Sequence, residues 1–148
     1  MSGARTPADP ARVIAAARGW IGTPYHDQQS LRGVGCDCLG LLRGLWRELV
    51  GPEPLPVPRY SRDWGETGAR EVLAEAARVC LVEIPPAGAA PGAVLVFRMR
   101  AGAIAKHCGV LVAPDALVHA RERRGVIEEP FADPWRRRVA FAFLLPSE

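Results

Sequence analysis

A chain of 148 residues, 49% of them apolar, has enough material for one domain with its own core. Its net charge of +3 argues against nucleic acid, which calls for a basic face or tail, but leaves room for another polyanionic partner. The chain holds four cysteines, Cys36, Cys38, Cys80 and Cys108, and is too rich in core residues to need disulfide staples.

In chain order, the first apolar run, VIAAA, is short and bracketed by Arg12 and Arg18, unlike a secretory signal. No stretch approaches transmembrane length. The expectation is synthesis in a reducing cytoplasm without membrane insertion; if the protein acts outside, something other than a cleaved signal takes it there. The first helix opens with Asp9 as N-cap and Pro10 at its first position. Val13, Ile14, Ala17, Trp20 and Ile21 share one face, and Gly22 ends it. A polar loop, TPYHDQQSLRGVG, leads to a second helix from about Cys38 to Val50. Asp37 is its N-cap, Leu41, Leu42, Leu45, Trp46 and Leu49 form its apolar stripe, and Gly51 with Pro52 stops it.

The proline-rich GPEPLPVPRYSRDWGETG reads as an ordered loop in which Tyr60 and Trp64 pack, and a third helix runs roughly from Ala69 to Val79. Beyond the turn region PPAGAAPG the period changes. Short strands are expected at 93–97, 107–112, 116–121, 125–129 and 139–145, with tight turns at APD and ERRG. Helices followed by an antiparallel meander of about five strands make an α+β fold in a single domain over 1–148.

The chemistry centres on GVGCDCLGLL. With Asp37 as cap, Cys38 is the first residue of a helix, where unpaired N–H groups and the positive end of the dipole favour a thiolate. The same N–H groups suit a developing oxyanion, and Gly33, Gly35 and Gly40 keep the approach bare. A cysteine nucleophile needs a base, and the chain has three histidines, His26, His107 and His119. His107 and His119 lie on strands joined by a tight turn, which places them across from each other within a residue or so. Cys38, His107 and His119 then follow the logic of nucleophile, base and orienting group.

Other readings stay open from the residues alone. A cysteine at a helix start is also a small core residue, and a strand histidine is also a packed or surface one. Zinc, with Cys36, Cys38, His107, Cys108 and His119 as ligands, fits poorly, because structural sites favour CxxC and neighbouring His107 and Cys108 point to opposite faces of a strand. A redox CxC departs from the usual CxxC spacing. On this reading Cys36 is a passive neighbour, Cys80 and Cys108 belong to the core, His26 is a solvated loop residue, and PWRRR (134–138) is a solvated basic turn or a dock for an acidic partner.

WIGTPYHDQQ…GCDCLGLL, PGAVLVF, KHCGVLV and ALVHA, in that order over about residues 10 to 145, resemble the NlpC/P60 family of cell-wall cysteine peptidases, and most of all its phage-type members carried in tail tips, including those of gene transfer agents. The resemblance implies a papain-like core, Cys38 as nucleophile, His107 as general base, His119 as orienting residue, and Tyr25 assisting through its hydroxyl beside the nucleophile. It also implies that Asp37 holds the site or meets a cationic group of the substrate, alongside its capping role. The implied substrate is the peptidoglycan stem peptide, cut at the γ-D-glutamyl-diaminopimelate or lysine bond, with no metal or organic cofactor. The implied setting is a phage-like tail tip, with hub or baseplate proteins as partners, acting at the periplasm and cell wall. A structural tail-tip protein without activity and an amidase or acyltransferase using the same cysteine are the alternatives. The sequence departs from the family pattern where the serine after the cysteine is Leu39, the aspartate of PGD is Ala93, and the valine after the base is Cys108.

Overall fold

The computed structural model describes residues 5–54 and 70–147. The proline-rich loop expected to pack Tyr60 and Trp64 lies almost wholly outside the described residues. The elements run α1 (Pro10–Gly19), β1 (Ser30–Leu31), β2 (Gly35–Cys36), α2 (Cys38–Leu49), α3 (Val72–Cys80) and β3 (Val82–Ile84). A 3₁₀ turn (Pro86–Gly88) follows, then β4 (Val94–Phe97), β5 (His107–Ala113), β6 (Ala116–Arg121), β7 (Gly125–Pro130), α4 (Trp135–Arg138) and β8 (Val139–Leu144). The fold is α+β, as the residues predict.

Asp9 caps α1 through a hydrogen bond from the Ala11 N–H. The helix ends three residues before Gly22, because its last turn tightens. Trp20 N–H donates to Ala17 and Ile21 N–H to Arg18, both three residues back. That rotation takes Ile21 off the buried face on which the periodicity put it, leaving it 44% exposed. Helix α2 follows its expected stripe, with Leu41, Leu45 and Leu49 buried. Helix α3 begins later than predicted, and the Glu71 carboxylate before it accepts from the Ala105 N–H and from Arg98.

The main sheet has six antiparallel strands in the order β3-β8-β4-β5-β6-β7. The sixth strand, β3, is too short to show a period of its own and is held at the edge by β8. Strands β4 to β7 form a meander, but the fifth strand expected to continue it does not: β8 returns across the sheet to pair with β4 on one side and β3 on the other, leaving β7 as the edge. One face carries the larger core, where Val13, Ala17, Trp20, Leu41, Leu45 and Ala77 of the helices meet Val94, Val96, Val110 and Phe143. The other face has a smaller cluster of Leu95, Phe97, Leu111, Leu117, Phe131 and Trp135. With both faces covered, every residue of β4 is buried.

Candidate active site

Helix α2 starts as its sequence demands. Asp37 is extended, its Oδ1 accepts from the Gly40 N–H at 2.7 Å, and Cys38 is the first helical residue. The other carboxylate oxygen accepts from the Gln28 N–H at 2.7 Å, so this 3% exposed side chain ties the polar loop to the helix start. The same loop is clipped a second time where the Ser30 hydroxyl donates to the Gly40 carbonyl. Gly40 has no room for a side chain: a methyl there would stand 1.8 Å from the Gln29 carbonyl oxygen.

The GTPY segment is stitched on two sides. Gly22 and Thr23 exchange backbone hydrogen bonds with Val126 of β7, and the Cys36 N–H donates to the Pro24 carbonyl. Tyr25 bridges Cys36 in parallel and is thereby delivered beside the helix start. Burial, then the neighbouring Cys38 and Asp37, raise its phenol pKa well above the ordinary value, so it remains an O–H donor. His26 is in the loop, its side chain against Gly35 and its N–H donating to the Cys36 carbonyl.

The start of β5 abuts this helix end, with Cys38 Sγ 3.7 Å from the Lys106 carbonyl oxygen. Cys108 points the opposite way from His107, as strand alternation requires, and its sulfur lies 3.3 Å from the Cys38 carbonyl oxygen. The Cys38 pKa is held well below the usual thiol value. A hydrogen bond from the Cys108 thiol is the largest cause; a hydrogen bond to His107 and the charge of that ring add to it, against the opposing effect of burial. Cys36 shows the contrast, its pKa pushed up to about 12 by burial and by Asp37 and Cys38. Cys108 is also raised, and burial raises Cys80.

His107 and His119 meet on one face of the sheet, their Nε2 and Nδ1 atoms 2.8 Å apart. The close approach depends on Gly109, where a methyl would stand 2.8 Å from the His119 Cβ. Beyond His119 the row continues. His119 Nε2 is 2.6 Å from Oε2 of Glu129, which also receives Arg121 at 3.4 Å, while Oε1 accepts from the Trp135 indole at 3.3 Å. The Trp135 ring roofs the row, edge-on to His119 at 4.7 Å and tilted over His107 at 5.6 Å. His119 is fully buried, and its pKa is pushed down to about 4, by burial first and then by the charge of His107.

The structure therefore brings Cys38, His107, His119, Tyr25 and Asp37 into one place. Glu129, Trp135 and the inward-facing Cys108 were not anticipated as neighbours of the site. Among the described residues, no three His, Cys, Asp or Glu side chains converge as a bound metal would require.

No protein-family model and no curated protein matches the sequence. Solved structures do. The NlpC/p60 domain of the peptidoglycan hydrolase SagA superposes with a TM-score of 0.61 at 19% identity, over 93% of this chain and 99% of that one. The peptidoglycan hydrolase RipB of Mycobacterium tuberculosis gives 0.59 at 20% identity, over 94% and 65%. An NLP/P60-family lipoprotein-like protein of Staphylococcus aureus subsp. aureus Mu50 gives 0.63 at 18% identity; all of this chain aligns with 46% of that one. The fold is that of NlpC/P60 domains.

Proposed function

We propose that this protein is a cysteine peptidase that hydrolyses stem-peptide amide bonds of peptidoglycan. The observation that carries the reading is Cys38 at the start of α2 with its pKa lowered, beside a hydrogen-bonded His107–His119 pair. Two of the solved structures sharing the fold are described as peptidoglycan hydrolases, which supports this choice of substrate.

His107 Nε2 is committed to His119, so Nδ1 is the nitrogen left to take the Cys38 proton. The thiolate adds to the amide carbon, and the resulting oxyanion meets the Cys38 N–H at the start of α2 and the Tyr25 hydroxyl. His107 then protonates the leaving amine. Water, deprotonated by the same ring, attacks the thioester, releases the acid and returns Cys38 to its starting state. Asp37 is engaged in capping and in the Gln28 hydrogen bond, and its part here is to hold the helix start. The bond we assign is that from γ-D-glutamyl to diaminopimelate, and the setting a phage-like tail tip acting in the periplasm and wall, docked on hub proteins; both come from the motif resemblance.

The test is digestion of purified peptidoglycan by the wild type and Cys38→Ala, with the fragments identified by mass spectrometry. New stem-peptide termini from the wild type alone are expected and name the bond. No release, with Cys38 no more reactive to iodoacetamide than a denatured thiol, overturns the reading in favour of a structural role.

A further inference from the structure

The hydrogen-bonded row on the sheet does not end at His119. It crosses three adjacent strands on one face, from His107 of β5 through His119 of β6 to Glu129 of β7, with contacts of 2.8 and 2.6 Å. We infer that Glu129 is a positioning residue that fixes the tautomer of His119 and, through it, the orientation and proton placement of His107.

The inference follows from counting donors. An ionised carboxylate only accepts, and a neutral imidazole has one N–H and one bare nitrogen. Glu129 therefore takes the N–H of His119 at Nε2. That leaves Nδ1 of His119 bare, so it must accept from His107 Nε2–H. His107 in turn is left with a bare Nδ1 for the proton of Cys38. A reversed His119 tautomer would put a bare nitrogen against the carboxylate and an N–H against His107, with the wrong nitrogen of His107 bare.

The surroundings keep Glu129 an acceptor. Arg121 and the Trp135 indole both donate to it, and although burial opposes ionisation, the hydrogen bond from His119 leads the effects that hold its pKa below the usual carboxylate value. Trp135 and the zero exposure of His119 keep water from substituting for either contact. Among the described residues, the charged or titratable groups recorded against the row include Cys38 from α2, Arg121 from β6 and, across the Trp135 ring, Arg138 from α4. Glu128, the adjacent glutamate, points away and pairs with Arg18 at the surface. The two side chains differ in role because strand alternation sends them to opposite faces.

The catalytic consequence rests on the peptidase reading; the tautomer does not. The first measurement is the ring-nitrogen long-range ¹H–¹⁵N correlation spectrum of the wild type at neutral pH, compared with that of Glu129→Gln. The wild type should show His119 with Nε2 protonated and Nδ1 bare, and the variant a mixture. Glu129→Gln should lower kcat on purified peptidoglycan about 10- to 100-fold, the size of loss that follows when the outer hydrogen-bond partner of a metal-binding histidine is removed. KM should change little, and Glu129→Asp should restore part of the rate. The pH midpoint for iodoacetamide alkylation of Cys38 should rise in Glu129→Gln, because the imidazolium that supports the thiolate loses its remote anion. A wild-type His119 protonated at Nδ1 overturns the inference, as does a Gln variant with wild-type tautomers, alkylation profile and kcat. A wild type that leaves peptidoglycan uncut sinks the peptidase reading alone, and the spectrum and the alkylation midpoint still decide the role of Glu129. If the Gln variant does not fold, the wild-type spectrum decides.

Discussion

The two halves of the site are built on opposite plans. The Cys38 half is a helix end clipped to a loop, held by the backbone-facing hydrogen bonds of Asp37 and Ser30, and Cys38 is half-buried. The histidine half is a row of side chains across three strands, closed over by Trp135, with His119 wholly buried. The difference is one of task. A group that must meet a substrate has to be reachable, so its environment is set by fixed dipoles around it. Groups that only hold a proton in place gain from exclusion of water, which would otherwise offer competing partners.

The comparison can be broken most severely where the halves touch. His107→Ala should lower peptidoglycan hydrolysis by about 10³-fold or more and slow alkylation of Cys38 near pH 6, read by rate and by mass mapping of the modified cysteine. Next come the two glycines. Gly40→Ala pushes a methyl against the Gln29 carbonyl, and Gly109→Ala pushes one against His119. Each should cost about 1–3 kcal/mol in urea unfolding, since neither neighbour is the free end of a flexible chain. Gly40→Ala should raise the Cys38 alkylation midpoint, and Gly109→Ala should disturb the His119 ring signals.

Acid should act on the sealed half. His119 has its pKa lowered from 6.5 to about 4 in the folded state, so between those values the unfolded chain binds a proton that the folded one does not. Stability should therefore fall on acidification from about pH 6.5 to pH 4, by on the order of 2 kcal/mol, and His119→Asn should flatten that slope in thermal melts. The smallest effect is at the cap. Asp37→Ala leaves the Gly40 and Gln28 N–H groups without their acceptor and should cost about 1–2 kcal/mol, with a modest rise in the Cys38 alkylation midpoint.

What the residues revealed in advance follows the range of the forces involved. Asp37, Cys38 and the stripe of α2 were legible because capping and periodicity are decided within a few positions. His107 and His119 were legible as residues of neighbouring strands because the turn at Pro114–Asp115 is short, but they do not stand opposite each other as expected. The register shifts between Leu111 and Ala113, His119 falls across from Gly109, and the two rings meet diagonally over that glycine. Glu129 was not legible, although it lies only one hairpin further. The turn before β7 uses positive φ at Arg123 and Gly125, and nothing local says which of two adjacent glutamates faces inward. Cys108 was assigned to the core from its alternation with His107, and it is buried there; alternation could not say that the first turn of α2 packs on that face. PWRRR was read for its charge, and its tryptophan turned out to be the roof of the histidine row. The hairpin of β1 and β2 and the edge strand β3 span two or three residues each, too few to display any period.

The return of β8 to the middle of the sheet also has a consequence for biosynthesis. Until residues 139–144 leave the ribosome, the meander from β4 to β7 ends on an open, wholly apolar strand, VLVF, and β3 has nothing to pair with. A nascent chain stalled before Val139, or a fragment truncated there, would expose an unpaired hydrophobic edge of the kind that recruits other chains.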